Sequence, residues 1–298
     1  MLVFPIGIKW LWTGRSQIGF TVGIITIMGK FKPIYLTDED VEEIATFFQI
    51  DKNFCRDRIW NYDSSEMSAM WENANPQTYE EIREFYRRTE LYVWDLTQWH
   101  ASTHRESYNK IVARVMKLCP PTTHPRVLDF GGGIGTEVIS FAKHGYSVVF
   151  ADVPGITAEF AKHRLRHRGL KAKFLAIDND HPNLLDKFDI IICFDVLEHL
   201  PNPEDILCLF HQHLTRDGVA AIKAEFNDPG GYPFHLHSNF AKMQGDGWNK
   251  TVRRVGFIPF QSHIYRKGSL LSRAIYDIYK SLSVVNQLRK SLQSKLVV

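Results

Sequence analysis

An alternation of short apolar runs with helix-length segments, beginning at Pro125, constrains the fold of this chain more than any other feature. The apolar runs are, in chain order, RVLDF, YSVVFAD, AKFLAID, FDIIICFD and GVAAIKAEF. The segments between them include residues 137–145 and 156–169, which have the length of helices. Apolar strands separated by helices are typical of a parallel sheet that is covered on both faces. We therefore predict an α/β fold with a doubly wound, mostly parallel sheet, in which GFIPFQ and SHIYRK add two edge strands.

Residues 31–120 show helical periodicity and many aromatic side chains. Thr37, followed three residues later by Asp40, indicates the start of a helix. Apolar residues then recur at helical spacing from residue 41, between residues 82 and 96, and between residues 108 and 116. We expect an N-terminal helical cap over residues 31–120, in front of an α/β domain over residues 121–267.

The two ends of the chain have patterns of their own. Residues 1–30 contain an apolar run, residues 18–28, that is shorter than the ~20 residues of a membrane-spanning helix. Two interpretations of these residues are equally favoured: a misassigned start upstream of Met28, and a peripheral segment of the protein. A signal peptide or a membrane anchor is less favoured. Residues 268–298 have the pattern of a basic amphipathic helix. We expect this tail to pack on the body or to pair two subunits in a homodimer, with peripheral contact to an anionic membrane as the alternative.

Charge and cysteine content narrow the classes of function. The whole chain has a net charge of +3, but seven Lys or Arg residues face one acidic residue over residues 263–298, which leaves the rest at −3. A mildly acidic body disfavours bulk binding of nucleic acid. The four cysteines form no C-x-x-C pair, which indicates reduced thiols and a cytoplasmic protein.

The stretch FGGGIGTE, which follows the first apolar run, predicts a ligand site. In an open parallel sheet, ligands bind beyond the carboxyl ends of the strands. The G-x-G-x-x-G pattern of dinucleotide-binding turns is absent, because Thr136 or Val138 occupies its last position in the two possible registers. The pattern that is present is D-x-G-x-G-x-G, formed by Asp129, Gly131, Gly133 and Gly135.

This pattern resembles the first motif of the class I S-adenosylmethionine-dependent methyltransferases, whose sheet is Rossmann-like. The string DVLEHLPNP, residues 195–203, is similar to the ubiquinone-biosynthesis O-methyltransferases and their small-molecule relatives. The resemblance covers residues 125 to about 267 and implies S-adenosyl-L-methionine as the co-substrate. Glycines would allow the backbone to approach the amino-acid end of that ligand, and Asp129 would support the loop and attract the ammonium.

The resemblance also assigns cofactor contacts to the ends of the next strands. Asp152, followed by Val153, occupies the position where this family binds the two ribose hydroxyls. A carboxylate suits that position because it accepts two hydrogen bonds at once. Asp178 and Asn179 follow the third strand, where the family contacts adenine, and Asp195 follows the fourth.

Histidines are the candidates for a catalytic base. Methyl transfer is an in-line displacement in which the enzyme mainly aligns the nucleophile, and a hydroxyl or ammonium acceptor must also lose a proton. His199 follows the fourth strand, and bracing the loop together with Glu198 is its alternative role. His235 and His237 share one face of an extended segment after the fifth strand, and incidental surface histidines are the alternative there.

We assign no metal ligand from the sequence. Asp195 and the pair Asn227-Asp228 fall near the magnesium positions of catechol-type methyltransferases, but the order of that pair is reversed. A carboxylate that joins His235-x-His237 is the other possible arrangement. Aromatic residues just before the α/β domain would suit a planar or lipid-like acceptor if they cover the site, and helix packing is their alternative role; they are Trp94, Trp99 and Tyr108.

The sequence therefore predicts an S-adenosylmethionine-dependent methyltransferase that acts on a small molecule, with methylation of oxygen favoured over carbon or nitrogen. Two alternatives remain at this stage. One is a non-catalytic protein that binds S-adenosylmethionine and acts through a partner. The other is an RNA methyltransferase that uses the basic tail.

Overall fold

Within the described residues, seven strands form one sheet in the order β3-β2-β1-β4-β5-β7-β6. The structure, a computed structural model, describes residues 32–179, 182–226 and 234–268. The strands are β1 Arg126–Phe130, β2 Ser147–Asp152, β3 Lys173–Ala176, β4 Phe188–Phe194, β5 Leu214–Lys223, β6 Phe257–Gln261 and β7 Ile264–Lys267. β1 to β5 pair in parallel, whereas β7 pairs antiparallel with both β5 and β6. The predicted mostly parallel α/β sheet, with two further strands at its edge, is confirmed.

The central strands carry mostly apolar side chains because both faces of the sheet are covered. In β1, Leu128 belongs to one hydrophobic cluster and Val127 to another. β4 alternates in the same way, with Ile191 in the first cluster and Ile192 in the second. Successive side chains of a strand point to opposite faces, so each cluster forms the core on one side of the sheet.

The helices on these faces connect the parallel strands. Eleven α-helices lie in the described residues: α1 Asp38–Phe48, α2 Lys52–Asn61, α3 Ser65–Ala74, α4 Tyr79–Arg88, α5 Leu91–His100, α6 Glu106–Leu118, α7 Thr136–Lys143, α8 Ile156–His167, α9 Pro203–His213, α10 His237–Met243 and α11 Gly247–Val255. α7 and α8 follow β1 and β2, and α9 precedes β5. The helix start expected at Thr37 is confirmed, since the side chains of Thr37 and Asp40 form a capping box.

The strand order reverses direction between β1 and β4. From β1 the chain runs outward through β2 to β3, and it then returns to place β4 on the other side of β1. The loops that leave β1 and β4 therefore diverge, and a crevice opens beyond the carboxyl ends of these two strands. The stretch FGGGIGTE begins at the end of β1 and DVLEHLPNP at the end of β4, so both lie at this crevice.

The N-terminal helices have a hydrophobic cluster of their own, which also includes residues of the α/β region. Val41, Ile44 and Trp94 are almost fully buried in this cluster. Ile134 of the glycine-rich stretch and Phe160 of α8 belong to it as well. The helical region is therefore packed directly against the crevice end of the sheet.

A buried ion-pair network holds α1 on α8. The side chain of Glu43 is fully buried and accepts hydrogen bonds from Arg164, whose Nε lies 2.8 Å from a carboxylate oxygen, and from Arg168. Asp40 accepts a second bond from Arg164, at 2.9 Å. The remaining amino group of Arg164 donates to the carbonyl of Ile134 at 2.9 Å. The network thus links α1, α8 and the glycine-rich stretch.

Several expectations fall outside the described residues, among them the leader over residues 1–30 and nearly all of the tail over residues 268–298. None of the helices in the described ranges combines the length and apolarity that a membrane crossing requires. All four cysteines are free thiols, with Cys55 and Cys193 buried.

We expect the substitution Glu43→Gln to lower the free energy of unfolding by about 3 kcal/mol. Removing one partner of a buried ion pair costs roughly 3–5 kcal/mol because it leaves an uncompensated buried charge, and glutamine retains part of the hydrogen bonding. The neighbouring Glu42→Gln is the control, because Glu42 pairs with Lys52, whose side chain is 61% exposed. Exposed pairs contribute only about 0–1 kcal/mol. Urea unfolding measures both changes, and equal costs would contradict the assigned role of Glu43.

Candidate active site

The glycine-rich loop after β1 adopts a backbone that side chains rarely tolerate. Gly131, Gly133 and Gly135 have φ angles of +70°, +54° and +77°. These are the three glycines of the D-x-G-x-G-x-G pattern. Each therefore meets a conformational requirement for glycine, and the loop folds tightly enough to begin α7 directly at Thr136.

The same loop lies close against its neighbours. A Cβ atom at Gly131 would overlap the side chain of Val196, in the segment that follows β4. A Cβ atom at Gly132 would lie 2.9 Å from the ring of Phe150 and from a carboxylate oxygen of Asp129. Glycine is therefore required at position 132 because no side chain fits there. The D-x-G-x-G-x-G pattern does not specify a glycine at this position.

Two aspartates that the sequence assigned to the cofactor lie beneath this loop. Asp129 is 2% exposed, and its Oδ2 atom has no hydrogen-bond partner among the described residues. Asp152 accepts hydrogen bonds from the backbone N–H groups of Gly133, at 2.6 Å, and Val153, at 2.7 Å. Burial raises the pKa of both carboxyls to about 7, and the N–H bonds to Asp152 oppose the rise. A bound cation or hydroxyl group would give these buried carboxylates an interaction partner and so offset the free-energy cost of burying their charge.

A cavity of about 400 Å³ occupies the crevice and brings the sequence motifs together. This volume lies in the range of small-molecule sites. Residues of the sheet side that line it are Asp129, Gly131, Gly132, Gly133, Glu137, Asp152, Val153, Thr157, Ile177, Asn179, Asp195, Glu198, His199 and Glu225. The helical region contributes an aromatic wall that includes Tyr79, Tyr86, Tyr92, Trp99 and Tyr108, and Phe234 and His235 complete the lining named here.

Asp195 is positioned by an unusual backbone and by a tyrosine. Its φ angle is +51°, and its carboxylate accepts a hydrogen bond from Tyr108 Oη at 2.7 Å. Burial raises the pKa of Asp195 to about 6, while the Tyr108 bond and the charge of Arg105 counteract that rise. Lys223 lies 3.7 Å from the centre of the Tyr108 ring. The end of β4 is therefore tied to α6, which carries Tyr108.

His199 is held in one tautomer. Its Nδ1 lies 3.0 Å from the carbonyl oxygen of Phe234 and 3.3 Å from Tyr86 Oη. A carbonyl oxygen only accepts hydrogen bonds, so we assign the proton to Nδ1, which leaves Nε2 as the acceptor. Burial lowers the pKa of His199 to about 4, so the ring is neutral at pH 7.

Glu198, His199 and His235 form a cluster whose potential ligand atoms all lie within 4.8 Å of one another. Glu198 is fully buried; one oxygen accepts from the backbone N–H of Glu225 at 3.0 Å, and Oε2 has no hydrogen-bond partner in the described part of the chain. Imidazole nitrogens together with a carboxylate are a ligand set for divalent transition metals. No metal ligand was predicted from the sequence, but these residues are able to hold a metal ion.

Most of the predicted site residues meet in the cavity; among those whose side chains the structure describes, Asp178 and Gly135 do not. Asp178 is exposed, accepts a hydrogen bond from Asn179 and is not among the lining residues, whereas Asn179 is. Gly135 shapes the loop without lining the cavity. His237 begins α10, and its side chain lies outside the described part of the structure. Trp94 is a core residue, whereas Trp99 and Tyr108 line the cavity.

Sequence reasoning missed several lining residues from the helical region. Arg105 is 3% exposed and forms an ion pair with Glu137 of α7. Asp95 projects from α5, and burial alone raises its pKa to about 7. Nothing in their local sequence distinguishes these residues from solvated surface charges, because only the packing of α4–α6 over the crevice brings them inward.

Comparison with known proteins agrees with this geometry. A family model described as a methyltransferase domain matches residues 98–263. The ubiquinone biosynthesis O-methyltransferase of Rickettsia prowazekii is 27% identical over 159 residues, which are 53% of this chain and 58% of that protein. The Pasteurella multocida protein of the same name is 31% identical over 108 residues, 33% of this chain and 45% of that protein. The chain thus spans about half the length of the curated relatives it matches.

Solved structures give a similar but weaker likeness. TehB from Haemophilus influenzae aligns with a TM-score of 0.43 at 18% identity, over 53% of this chain and 56% of TehB. An S-adenosylmethionine-dependent methyltransferase from Clostridium acetobutylicum aligns with a TM-score of 0.38 at 19% identity, over 43% of this chain and 55% of that one.

We expect Gly131→Ala to disrupt the loop more than a substitution at a glycine with similar backbone but free space. Gly145 is the matched control, because its φ angle is +82° and a Cβ atom there would meet nothing within 4 Å. Gly145→Ala should cost only the conformational strain, about 1–2 kcal/mol. Gly131→Ala adds the overlap with Val196 and should cost about 1–3 kcal/mol more. Urea unfolding measures the stability of both variants. Equal losses in the free energy of unfolding would show that the contact with Val196 is unimportant.

Proposed function

Because the chain belongs to the methyltransferase-domain family, whose co-substrate is S-adenosylmethionine, we propose that it transfers the methyl group of that compound to a small molecule in the cavity. Oxygen is the acceptor atom that we favour. The observation that carries this proposal is the cavity itself. It joins the glycine loop, Asp152 and the histidine pair His199/His235 in one space between the sheet and the helical region.

The cofactor half of the proposal rests on the acidic side of the cavity. S-adenosylmethionine carries a sulfonium, an ammonium and a carboxylate, so its net charge is positive. The buried carboxylates of Asp129 and Asp152 supply a complementary charge. We assign Asp152 to the ribose hydroxyls, and Ile177 and Asn179, which line the cavity after β3, to the adenine side.

The acceptor half rests on the aromatic wall and on His199. Tyr86 and Phe234 flank His199, with the Tyr86 and His199 rings 6.2 Å apart. A planar or lipid-like acceptor would pack on these rings. Its hydroxyl oxygen attacks the methyl carbon as the carbon–sulfur bond breaks. The proton passes to Nε2 of His199, and the sulfur leaves as the neutral thioether of S-adenosylhomocysteine.

His199 alone is a weak base for this step, since its pKa lies near 4. A second proposal follows from that weakness: we propose that Glu198, His199 and His235 hold a divalent cation. The unpartnered Oε2 of the buried Glu198 supports this assignment, because an ion would supply its missing partner. With Nε2 of His199 bound to the cation, that nitrogen would no longer take the proton. The cation would instead lower the pKa of an acceptor hydroxyl, as Lewis acids do, so that its proton is lost to water. Tyr86 and the carbonyl of Phe234 would then orient the ligating imidazole.

We expect Asp152→Ala to weaken binding of S-adenosylhomocysteine by about 1–3 kcal/mol, the range for losing hydrogen bonds to a charged group. Asp217→Ala is the control, because Asp217 is exposed on β5 and outside the cavity lining. Titration calorimetry measures both affinities. An unchanged affinity of Asp152→Ala for S-adenosylhomocysteine would contradict the assignment of Asp152 to the ribose hydroxyls.

Transfer itself is tested with S-adenosylmethionine labelled in the methyl group and a panel of phenols, catechols and hydrophobic quinols. Label should pass to a hydroxyl-bearing acceptor. Binding without transfer to any acceptor would instead support the non-catalytic alternative.

Metal removal tests the second proposal. Chelation should reduce transfer at least tenfold, and added Mg²⁺, Mn²⁺ or Zn²⁺ should restore it, while affinity for S-adenosylhomocysteine stays unchanged. Glu198→Gln should need more metal for half-maximal activity. Glu204, whose side chain is 39% exposed and pairs with Arg254 outside the cavity, gives the control Glu204→Gln. Full activity after exhaustive chelation would contradict the metal assignment and leave the methyl-transfer proposal standing.

A further inference from the structure

The carboxylate of Asp95 lines the cavity without a partner in the described part of the chain. Asp95 lies on α5 and belongs to the cavity lining. Burial alone raises its pKa to about 7, because no hydrogen bond and no neighbouring charge of the described residues contributes to the shift. Removing a carboxylate from water without pairing it costs free energy. Its place in the lining therefore indicates a ligand group that pairs with it.

Asp95 lies on the flank of α5 that faces away from the glycine loop. Tyr92, Asp95, Leu96 and Trp99 line the cavity from one face of this helix, at intervals of three and four residues. Leu96 lies toward the glycine loop, 3.0 Å from the place of a Cβ on Gly133. Successive residues of a helix are rotated by about 100°, so Asp95 lies on the other flank of that face. It is thereby separated from the loop to which we assign the co-substrate.

A second unpaired polar atom lies on the side of α5 that carries Asp95. Gln98, three residues after Asp95, donates hydrogen bonds from Nε2 to the carbonyl oxygens of Ile59, at 2.9 Å, and Tyr62, at 3.1 Å. The hydroxyl of Tyr62 is buried and has no hydrogen-bond partner among the described residues. Burial raises the pKa of Tyr62 most, and the charge of Asp95 is the next largest cause. An unpaired carboxylate and an unpaired hydroxyl thus lie near each other where α5 meets the end of α2.

Two tyrosine rings line the neighbouring part of the cavity. The rings of Tyr86 and Tyr92 are 5.1 Å apart and inclined to each other by 56°, and both residues belong to the lining. Burial raises the pKa of both hydroxyls, and the charge of Asp95 adds to each rise, so both side chains are neutral. Aromatic rings beside a carboxylate are typical of sites for organic cations, because a cation interacts favourably with both.

The charge of the lining also favours a cationic ligand at Asp95. Seven of the described lining residues are aspartate or glutamate, whereas Arg83 and Arg105 are the lysine or arginine residues among them. Both arginines already pair with carboxylates. The co-substrate and the divalent cation are assigned to other acidic residues, so neither pairs with Asp95. A neutral or anionic acceptor would leave this carboxylate unpaired, whereas a cationic acceptor would pair with it.

We propose that Asp95, together with the rings of Tyr86 and Tyr92, binds a protonated amine of the methyl acceptor. The substrates are then hydroxyl compounds that also carry a basic nitrogen, such as hydroxylated aromatic amines. The ammonium pairs with Asp95, and because it has three donors, it also serves the unpaired hydroxyl of Tyr62. This inference rests on the proposed function, because the amine belongs to the acceptor. Asp95 determines specificity, and the methyl group is still transferred to oxygen.

The test compares three catechols that differ at the end of one short side chain, which carries a protonated amine, a methyl group or a carboxylate. Transfer of the labelled methyl group from S-adenosylmethionine gives kcat/KM for each. In the native protein, the cationic catechol should exceed the neutral one by about 10- to 100-fold, as expected for a hydrogen bond between charged groups, and the anionic one should be the poorest acceptor. Equal kcat/KM for the cationic and neutral catechols would overturn the inference without a variant.

Variants of Asp95 then assign the preference to this residue. Asp95→Asn keeps the shape of the side chain and removes its charge. It should reduce the preference for the cationic over the neutral catechol to within about threefold, mainly by raising KM for the cationic compound. Should Asp95→Asn fail to fold, Asp95→Leu replaces the unpaired carboxylate with an apolar group and gives the same readout. Asp57→Asn is the matched control, because Asp57 is exposed on α2 and outside the cavity lining, and it should keep the native preference.

The possible results separate this inference from the proposed function. An equal loss of kcat/KM for all three catechols in Asp95→Asn would show a structural or proton-accepting role and overturn the inference. Label on the nitrogen of the cationic catechol would place the amine at the methyl group rather than at Asp95, with the same consequence. In both cases methyl transfer itself would stand. No transfer to these catechols or to any other acceptor, by a protein that binds S-adenosylhomocysteine, would instead refute the proposed function and this inference with it.

Discussion

The close approach of the glycine loop to the segment after β4 is the constraint on which the site depends. Gly131 lies so near Val196 that no side chain fits between them. β1 and β4 are adjacent, and their following loops diverge only beyond this contact. The cavity begins where the two loops separate. This contact fixes the distance between the two loops. Residues after β1 and residues after β4 can therefore contact the same ligand.

The helical region completes the site by closing it. Leu96 of α5 lies 3.0 Å from the place of a Cβ on Gly133, and the Glu43 network bonds the carbonyl of Ile134 through Arg164. Loop and helices are therefore fixed to each other by packing and by buried charge. Burial raises the pKa of several carboxyls that line the cavity, among them Asp95, Asp129 and Asp152. Perturbed groups that cluster in this way are typical of functional sites.

The strands and the glycine loop could be predicted from the sequence because their causes are local. Apolar runs follow from burial on both faces, and the three glycines follow from backbone angles within one turn. The partners of the site could not be predicted in the same way. Arg105 enters the cavity from the helical region, and its place there depends on how the helices pack. His235 was a candidate from the sequence, but the sequence left open whether it lies at the surface or in the cavity. Asp178, assigned by its position after β3, is exposed and lies outside the cavity lining, whereas the next residue, Asn179, lines the cavity.

The most direct test of the account is the melting temperature of the protein with S-adenosylmethionine, with S-adenosylhomocysteine and with NADPH. A ligand at ~100 times its dissociation constant adds ~2.7 kcal/mol of stability, a shift of roughly 5–10 °C for a domain of this size. We expect this shift with both adenosyl compounds and none with NADPH. A shift with NADPH alone would contradict it, because the glycine loop would then serve a dinucleotide.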